Sequence, residues 1–122
     1  LAGAARADYP DRVIRLVVPF APGGVTDTSG RLIAEGLSKR LGHQVIVENK
    51  PGASGNIGTQ VVAASSPDGY TLVLGTVSTH GINPSLYRNM PYNHKKDFAP
   101  VSQVSDSESP DRSCRRRGNS AR

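Results

Sequence analysis

The sequence is poor in several residue types on which common sites depend. Its 122 residues include one cysteine, Cys114, and no tryptophan. A single thiol excludes an internal disulfide, and it also excludes a thiolate-rich zinc or iron–sulfur site. No stretch approaches the ~20 consecutive apolar residues of a membrane-spanning helix, so the chain as printed is not an integral membrane protein. We expect neither a metal nor another cofactor.

Aromatic and apolar residues are also scarce, which limits the size of the fold. The chain is 36% hydrophobic and 5% aromatic, and its 13 glycines and 9 prolines favour many turns. Its length suits one domain, because domains cluster near roughly 100 to 150 residues. The composition therefore supports one core at most.

The net charge of the chain is +5, but its basic side chains do not form a stripe. The ten lysines and arginines of the first 104 residues are spread along the chain, singly or in adjacent pairs, among seven acidic residues. Nucleic-acid binding needs basic side chains clustered on one face, so we expect no nucleic-acid partner. The segment 105–122 contains no Val, Ile, Leu, Met, Phe, Tyr or Trp and cannot pack a core. We expect it to be disordered.

Short β-branched runs alternate with helix-like segments, and this alternation predicts an α/β fold with a parallel sheet. Strands are predicted at 13–19, 44–48 and 71–75. Residues 98–104 are compatible with a fourth strand, which Pro100 would confine to an edge, a strand start or a crossover.

Capping and spacing signals predict the helices. The first helix is expected to be capped by Thr26 or Asp27 and to end at Gly42. A third helical turn is predicted at 83–87, with Pro84 in its first turn. The second helix is short, and one of its faces is predicted to consist of Ile57, Val61 and Ala64.

A polar loop follows each predicted strand: the first loop (20–27), the second loop (49–56) and the third loop (76–83). The carboxyl ends of parallel strands lie at one edge of a sheet, so the three loops are expected to converge. Each leads into a helix start, where unpaired N–H groups suit a carboxylate or phosphate. The alternative is that the glycines only make turns.

The sequence does not match the more specific nucleotide-binding and catalytic motifs. The segment 22–30 lacks the lysine of a P-loop, and the glycines after the second strand are spaced G-x-x-G-x-x-G, which does not match a dinucleotide fingerprint. Ser54 misses the G-x-S-x-G nucleophile elbow by one place and has no identifiable base. The histidines have no paired metal-ligand spacing, and only His80 lies in a converging loop. Binding is therefore favoured over catalysis.

Several sequence blocks, in order, closely resemble the Bug family. They are PFAPGGVTD at 19–27, VIVENKPGASGNIG at 45–58, PDGYTLVLGT at 67–76, THGINPSLY at 79–87 and MPYNHKKDFAPVS at 90–102. This family comprises the extracytoplasmic solute-binding receptors of tripartite tricarboxylate transporters. The resemblance runs from about Tyr9 to Val104 and stops at the tail.

The resemblance implies the first part of domain 1 of a type II periplasmic-binding-protein fold, a parallel-sheet βαβαβ unit. It also implies a small carboxylate ligand, a periplasmic monomer and delivery to the membrane subunits of the transporter, and it implies no enzyme. Backbone amides and ordered water would hold the ligand. The ligand-binding residues carried over from the family are Phe20, Ala21, Gly23, Gly24, Asp27, Ser54, Gly55, Asn56, Thr76, Ser78, Thr79, His80 and Asn83.

Departures from the family set the expected boundaries. Residues 1–7 end in the A-x-A pattern of a signal-peptidase site and are interpreted as a signal-peptide stub. Residues 8–104 are interpreted as a partial N-terminal α/β domain, and 105–122 as the non-homologous tail of a frame-shifted or otherwise truncated receptor, a non-functional remnant. Within the first helix, Gly30 and Gly36 are each expected to cost roughly 0.5–1 kcal/mol relative to Ala.

Two other functions are compatible with the residues. A small enzyme could use the Gly-rich loops as an oxyanion or phosphate site, and it would need a general base such as His80 in reach. An interaction protein could use the Arg-rich tail to bind acidic partners, and its binding should then weaken with added salt.

Overall fold

The computed structural model describes residues 8–105. The signal-peptide stub and residues 106–122 of the expected disordered tail lie outside the described residues, and the domain boundaries stay predictions. Three strands and three α-helices alternate along the described chain. They are β1 (Ile14–Val18), α1 (Val25–Leu41), β2 (Val45–Asn49), α2 (Asn56–Ala63), β3 (Thr71–Val73) and α3 (Asn83–Leu86). A 3-10 turn, Ala53–Gly55, precedes α2, and a π-helical turn, Ser78–Ile82, precedes α3.

The strands form one parallel sheet in the order β2-β1-β3. Leu16 is in register with Val47 of β2 and with Leu72 of β3. The predicted α/β class and the parallel sheet are thus confirmed. All three strands point the same way, so their carboxyl ends lie at one edge of the sheet.

Helix α1 forms the core with one face of the sheet. Ile14, Leu16, Ala34 and Val45 are buried together, and Ile33, Leu37, Leu41, Val47, Tyr70, Leu72 and Leu74 pack around them. Apolar residues recur at i, i+4 and i+8 along α1, and the helix ends, as predicted, at Gly42 in the left-handed conformation. Helix α2 contacts β1 and β3.

The two glycines inside α1 have different roles. A Cβ on Gly30 would lie 2.7 Å from Val18 Cγ2, so this glycine allows the helix to approach the sheet closely. Gly36 is exposed, and a Cβ there would meet nothing within 4 Å. The expected helix penalty therefore has a packing reason at Gly30 and none at Gly36.

Two predictions about local structure, the N-cap of α1 and the fourth strand, were wrong. Helix α1 is capped by Gly24 without a side-chain hydrogen bond, because Thr26 and Asp27 already lie inside the first turn. Residues 98–105 form no strand. The predicted apolar face of α2, formed by Ile57, Val61 and Ala64, is exposed. Within residues 8–105 no helix is long and apolar enough to cross a membrane.

Candidate functional site

The three loops meet at the carboxyl edge of the sheet. Gly55 of the second loop marks the meeting point, because a Cβ there would lie 2.7 Å from Thr79 Cγ2 and 3.3 Å from Phe20 Cζ. One residue of each loop is therefore in contact at this point. Helix α2 also packs tightly against the residue that follows β1, since a Cβ on Gly58 would lie 2.9 Å from Pro19 Cα and 2.7 Å from the Lys50 carbonyl oxygen.

The buried carboxylate of Asp27 organises the first loop. The Gly23 N–H and the Arg31 Nε–H each donate to Asp27 Oδ2 at 3.0 Å. Asn49, at the end of β2, donates from Nδ2 to Asp27 Oδ1 at 2.8 Å and to the Phe20 carbonyl oxygen at 3.1 Å. Asp27 thus joins the first loop to α1 and to the second loop.

The charge of Asp27 is compensated within the protein. Hydrogen bonds from Arg31, Gly23 and Asn49, in that order, lower the pKa of Asp27 from 3.8 to about 2. The carboxylate is therefore ionised throughout the physiological range, and Arg31 balances it at 3.0 Å. An anion at this edge would not face an unpaired negative charge.

The second loop has an unusual backbone. Gly52, Ala53, Ser54 and Gly55 all have positive φ, with values of 131°, 47°, 55° and 90°. The two non-glycine residues each store about 1–3 kcal/mol of strain, which persists only where surrounding contacts fix it. Such strain is concentrated at ligand clamps and active sites. The conformation leaves Ser54 exposed at the edge and Gly55 buried beneath it.

The third loop turns back on itself through Thr79. The Thr76 N–H donates to Thr79 Oγ1 at 3.0 Å, and the Thr79 hydroxyl lies 2.8 Å from His80 Nδ1. Thr79 is fully buried, whereas Thr76, Ser78 and His80 are half-buried. The turn is therefore closed by its own hydrogen bonds and leaves part of its polar surface accessible.

The position of His80 does not favour the role of a general base. Its ring packs edge-on against Phe98 with centroids 5.2 Å apart, and it lies close enough that a Cβ on Gly75 would be 3.1 Å from Nδ1. Burial lowers the pKa of His80 below 6.5. We interpret the imidazole as a packing group behind the third loop.

A buried polar network joins the second and third loops. Asn83 Nδ2 donates to Asn56 Oδ1 at 2.7 Å and to the Ser54 carbonyl oxygen at 3.0 Å. The Tyr92 hydroxyl lies 3.0 Å from Asn56 Oδ1 and 2.7 Å from the Thr79 carbonyl oxygen. Asn83, Asn56, Thr79 and Tyr92 are all nearly inaccessible to solvent. These side chains therefore hold the loops, and their polar atoms are already bonded.

The thirteen residues expected to bind ligand thus fall into three groups. The exposed residues, which form the rim of the edge, are Ala21, Gly23, Gly24 and Ser54. The half-buried residues are Phe20, Thr76, Ser78 and His80. The buried residues, which position the loops, are Asp27, Gly55, Asn56, Thr79 and Asn83. Phe20, Gly55 and Thr79 touch, whereas Gly23 is tied to Asp27 on the side of the first loop.

Sequence reasoning missed three residues of this arrangement. Asn49 and Arg31 hold the Asp27 carboxylate, and Tyr92 closes the network between the second and third loops. Asn49 had a detectable signal, because it is a polar residue at the end of a strand that enters the converging edge. Arg31 follows Asp27 at the i+4 spacing of a helix ion pair. Tyr92 had no local signal.

The cavity that the structure describes is distinct from the converging edge. A cavity of about 500 Å³ opens elsewhere, beside α3, and none of the thirteen residues lines it. Its walls are formed by Pro84, Met90, Pro91, Tyr92, Asn93, His94 and Lys95. Among the described residues, no group of three or more His, Cys, Asp or Glu side chains could hold a metal ion.

Comparison with known proteins identifies relatives of this chain. A family profile described as "Tripartite tricarboxylate transporter family receptor" matches residues 30–110. A UPF0065 protein of Bordetella pertussis is 47% identical over 92 residues, which cover 75% of this chain and 28% of the relative. The family is described as a receptor, and this description supports binding over catalysis.

Two solved structures share the architecture at high sequence identity. The periplasmic binding protein BugD superposes with a TM-score of 0.73 at 46% identity, over 76% of this chain and 31% of BugD. MatC from Rhodopseudomonas palustris with bound malate superposes with a TM-score of 0.73 at 44% identity, over 76% of this chain and 32% of MatC. The expected partial periplasmic-binding-protein fold is thus confirmed. The chain spans between 28% and 33% of the length of the curated relatives that it matches.

Proposed function

Because this chain belongs to the tripartite tricarboxylate transporter receptor family, we propose that its converging edge is one wall of a binding site for small carboxylates. The contact of Phe20, Gly55 and Thr79 carries this proposal, since it joins three polar loops at one point. Malate, which is bound in the similar MatC, is a ligand of the proposed class.

The electrostatics of the edge support an anionic ligand held by neutral donors. The Asp27 carboxylate is balanced by Arg31, and Lys50 lies 3.0 Å from Glu48. Main-chain N–H groups and the hydroxyls of Ser54 and Ser78 would then replace the water around a carboxylate. Neutral donors fixed in place suit an anion, because they need little reorganisation when it binds.

We further propose that the chain acts as part of an extracytoplasmic receptor that presents its ligand to membrane subunits of a transporter. The family description and the periplasmic relative BugD support this role. A receptor that closes around its ligand needs hydrogen-bond donors on both sides of the carboxylate. The described edge would supply the donors on one side. We therefore expect the 122-residue chain to bind no more tightly than about millimolar, because one wall leaves the ligand half-solvated.

Ligand-observed saturation-transfer NMR tests the proposal on the purified chain. We expect transfer to malate and citrate and none to glucose, because the neutral sugar offers no anion to the helix starts. Gly55→Ala should abolish transfer, since its Cβ would overlap Thr79 in a backbone conformation with φ of 90°. Gly69→Ala is the matched control, because Gly69 also has positive φ and lies in the turn before β3, away from the edge. Transfer to glucose equal to that to malate would refute the carboxylate assignment.

A further inference from the structure

We propose that Tyr92 is a positioning residue of the candidate site. Its hydroxyl group holds the second loop against the third loop. The proposal rests on the proposed carboxylate-binding function, and it assigns a role to a segment outside the three loops. The observation that carries it is a single phenol oxygen within hydrogen-bond distance of both loops, 3.0 Å from Asn56 Oδ1 and 2.7 Å from the Thr79 carbonyl oxygen.

The hydroxyl is placed where one hydrogen bond has a large geometric effect. Asn56 is the first residue of α2, and its Oδ1 also accepts a hydrogen bond from Asn83 Nδ2 at 2.7 Å. The same Asn83 group binds the carbonyl oxygen of Ser54, a residue of the strained turn. Tyr92 therefore acts on the rim residue Ser54 through Asn56 and Asn83.

Tyr92 is largely shielded from solvent. The residue is 6% exposed, and its ring packs edge-on against Phe98 with centroids 5.7 Å apart. A buried polar group that loses its partner cannot be satisfied by water, so a network of this kind is cooperative. Without the hydroxyl, the Thr79 carbonyl oxygen and Asn56 Oδ1 would each lose a neighbour, and of this network only the hydrogen bonds of Asn83 would still join the two loops.

The role is specific to the position of the loops and differs from general support of the fold. The ring of Tyr92 contributes packing that Phe can replace, whereas the hydroxyl makes both contacts with the loops. The first loop is held separately by Asp27 and Asn49. Loss of the hydroxyl should therefore loosen the second and third loops and leave the first loop unchanged.

The test compares Tyr92→Phe with Tyr87→Phe in the 122-residue chain. Tyr87 is exposed, so its variant removes the same atom without touching the network. Hydrogen exchange in the unliganded protein should become about fivefold faster or more at the amides of the second and third loops in Tyr92→Phe, as expected for one net hydrogen bond. Exchange in β1 and at Gly23 should stay within twofold, roughly, of the wild type because those groups keep their own partners.

Malate affinity, measured by saturation transfer under conditions where each variant is fully folded, gives the second readout. We expect about a fivefold loss for Tyr92→Phe and no change for Tyr87→Phe. Unchanged exchange in the loops would overturn the positioning role, and so would acceleration spread evenly over the sheet, which would mean a structural role only. If the wild-type chain binds no carboxylate, the proposed function fails, while the exchange result still decides whether Tyr92 fixes the loops.

Discussion

Substituting alanine at the two internal glycines of α1 tests the packing of the helix on the sheet. At Gly36 the helix is exposed and a Cβ meets nothing within 4 Å. Gly36→Ala should therefore stabilise the chain by about 0.5–1 kcal/mol, because alanine restricts the unfolded chain more than glycine does. This gain sets the scale against which the second variant is compared.

Gly30→Ala should give the same gain in helix propensity but lose more in packing. Its Cβ would lie 2.7 Å from Val18 Cγ2 and 3.6 Å from Leu74 Cδ2. Val18 is fully buried and β-branched, so its χ1 rotation is restricted and its side chain has little room to move. Overpacking of a well-packed core typically costs about 1–3 kcal/mol, which leaves a net destabilisation of about 1 kcal/mol.

Urea denaturation of the purified variants, followed by circular dichroism, measures the difference directly. We expect the free energies of unfolding of the two alanine variants to differ by about 2 kcal/mol, with Gly36→Ala the more stable. A Gly30→Ala variant as stable as Gly36→Ala would refute the close approach of α1 to β1. Equal slopes of the transitions in urea would show that the variants differ in stability and not in the surface exposed on unfolding.

Three further predictions follow from contacts at and near the edge. Gly58→Ala should destabilise the chain by about 2–3 kcal/mol, more than Gly30→Ala, because its Cβ would meet backbone atoms of Lys50 and Pro19 that cannot rotate away; urea denaturation with Gly36→Ala as control measures it. The Asp27 carboxylate has a pKa of about 2, below its ordinary value of 3.8. Its stabilising effect is complete above about pH 4 and is lost as the pH falls to about 2. The difference in free energy of unfolding between wild type and Asp27→Asn should therefore disappear over that range. A difference that does not depend on pH would contradict the lowered pKa of Asp27. The His80 ring signals should titrate below 6.5, since burial disfavours the charged form, and stability should fall as the pH drops from 6.5 through this lowered pKa; titration by NMR at or above 6.5 would contradict it.

The parallel sheet and the convergence of the loops could be predicted from the sequence because both depend on local patterns. Short β-branched runs formed β1, β2 and β3, and the glycines that follow them formed loops at one edge. The end of α1 at Gly42 could also be predicted from the local sequence. Glycine has no side chain, so it adopts the left-handed conformation that ends the helix. These features follow from periodicity and from the direction of parallel strands.

The buried face of α2 could not be predicted from the same patterns. Periodicity assumes that apolar residues face inward, but Ile57 and Val61 are exposed while Asn56 and Thr59 are buried. Asn56 is buried because Asn83 and Tyr92 satisfy its amide oxygen, and these partners are 27 and 36 residues away in the sequence. A pattern confined to one helix contains no information about such distant partners.

The start of α1 was mispredicted for a related reason. A polar residue before an apolar run is usually the N-cap, and Asp27 fits that pattern. In the structure its carboxylate accepts hydrogen bonds from the Gly23 N–H and from Asn49. Asp27 therefore joins the first loop to β2 and is not the N-cap. Gly24 takes the cap position instead.

Protein-observed NMR with malate tests the central claim most directly, that three loops of this chain form one carboxylate-binding wall. Amide shifts of the uniformly ¹⁵N-labelled 122-residue chain would be followed during titration with malate, with glucose as the matched neutral ligand. We expect saturable malate shifts concentrated at 20–24, 54–56 and 76–83, and none on the opposite edge around Gly69. Malate shifts confined to the cavity beside α3, or spread without saturation over the lysines and arginines, would contradict it.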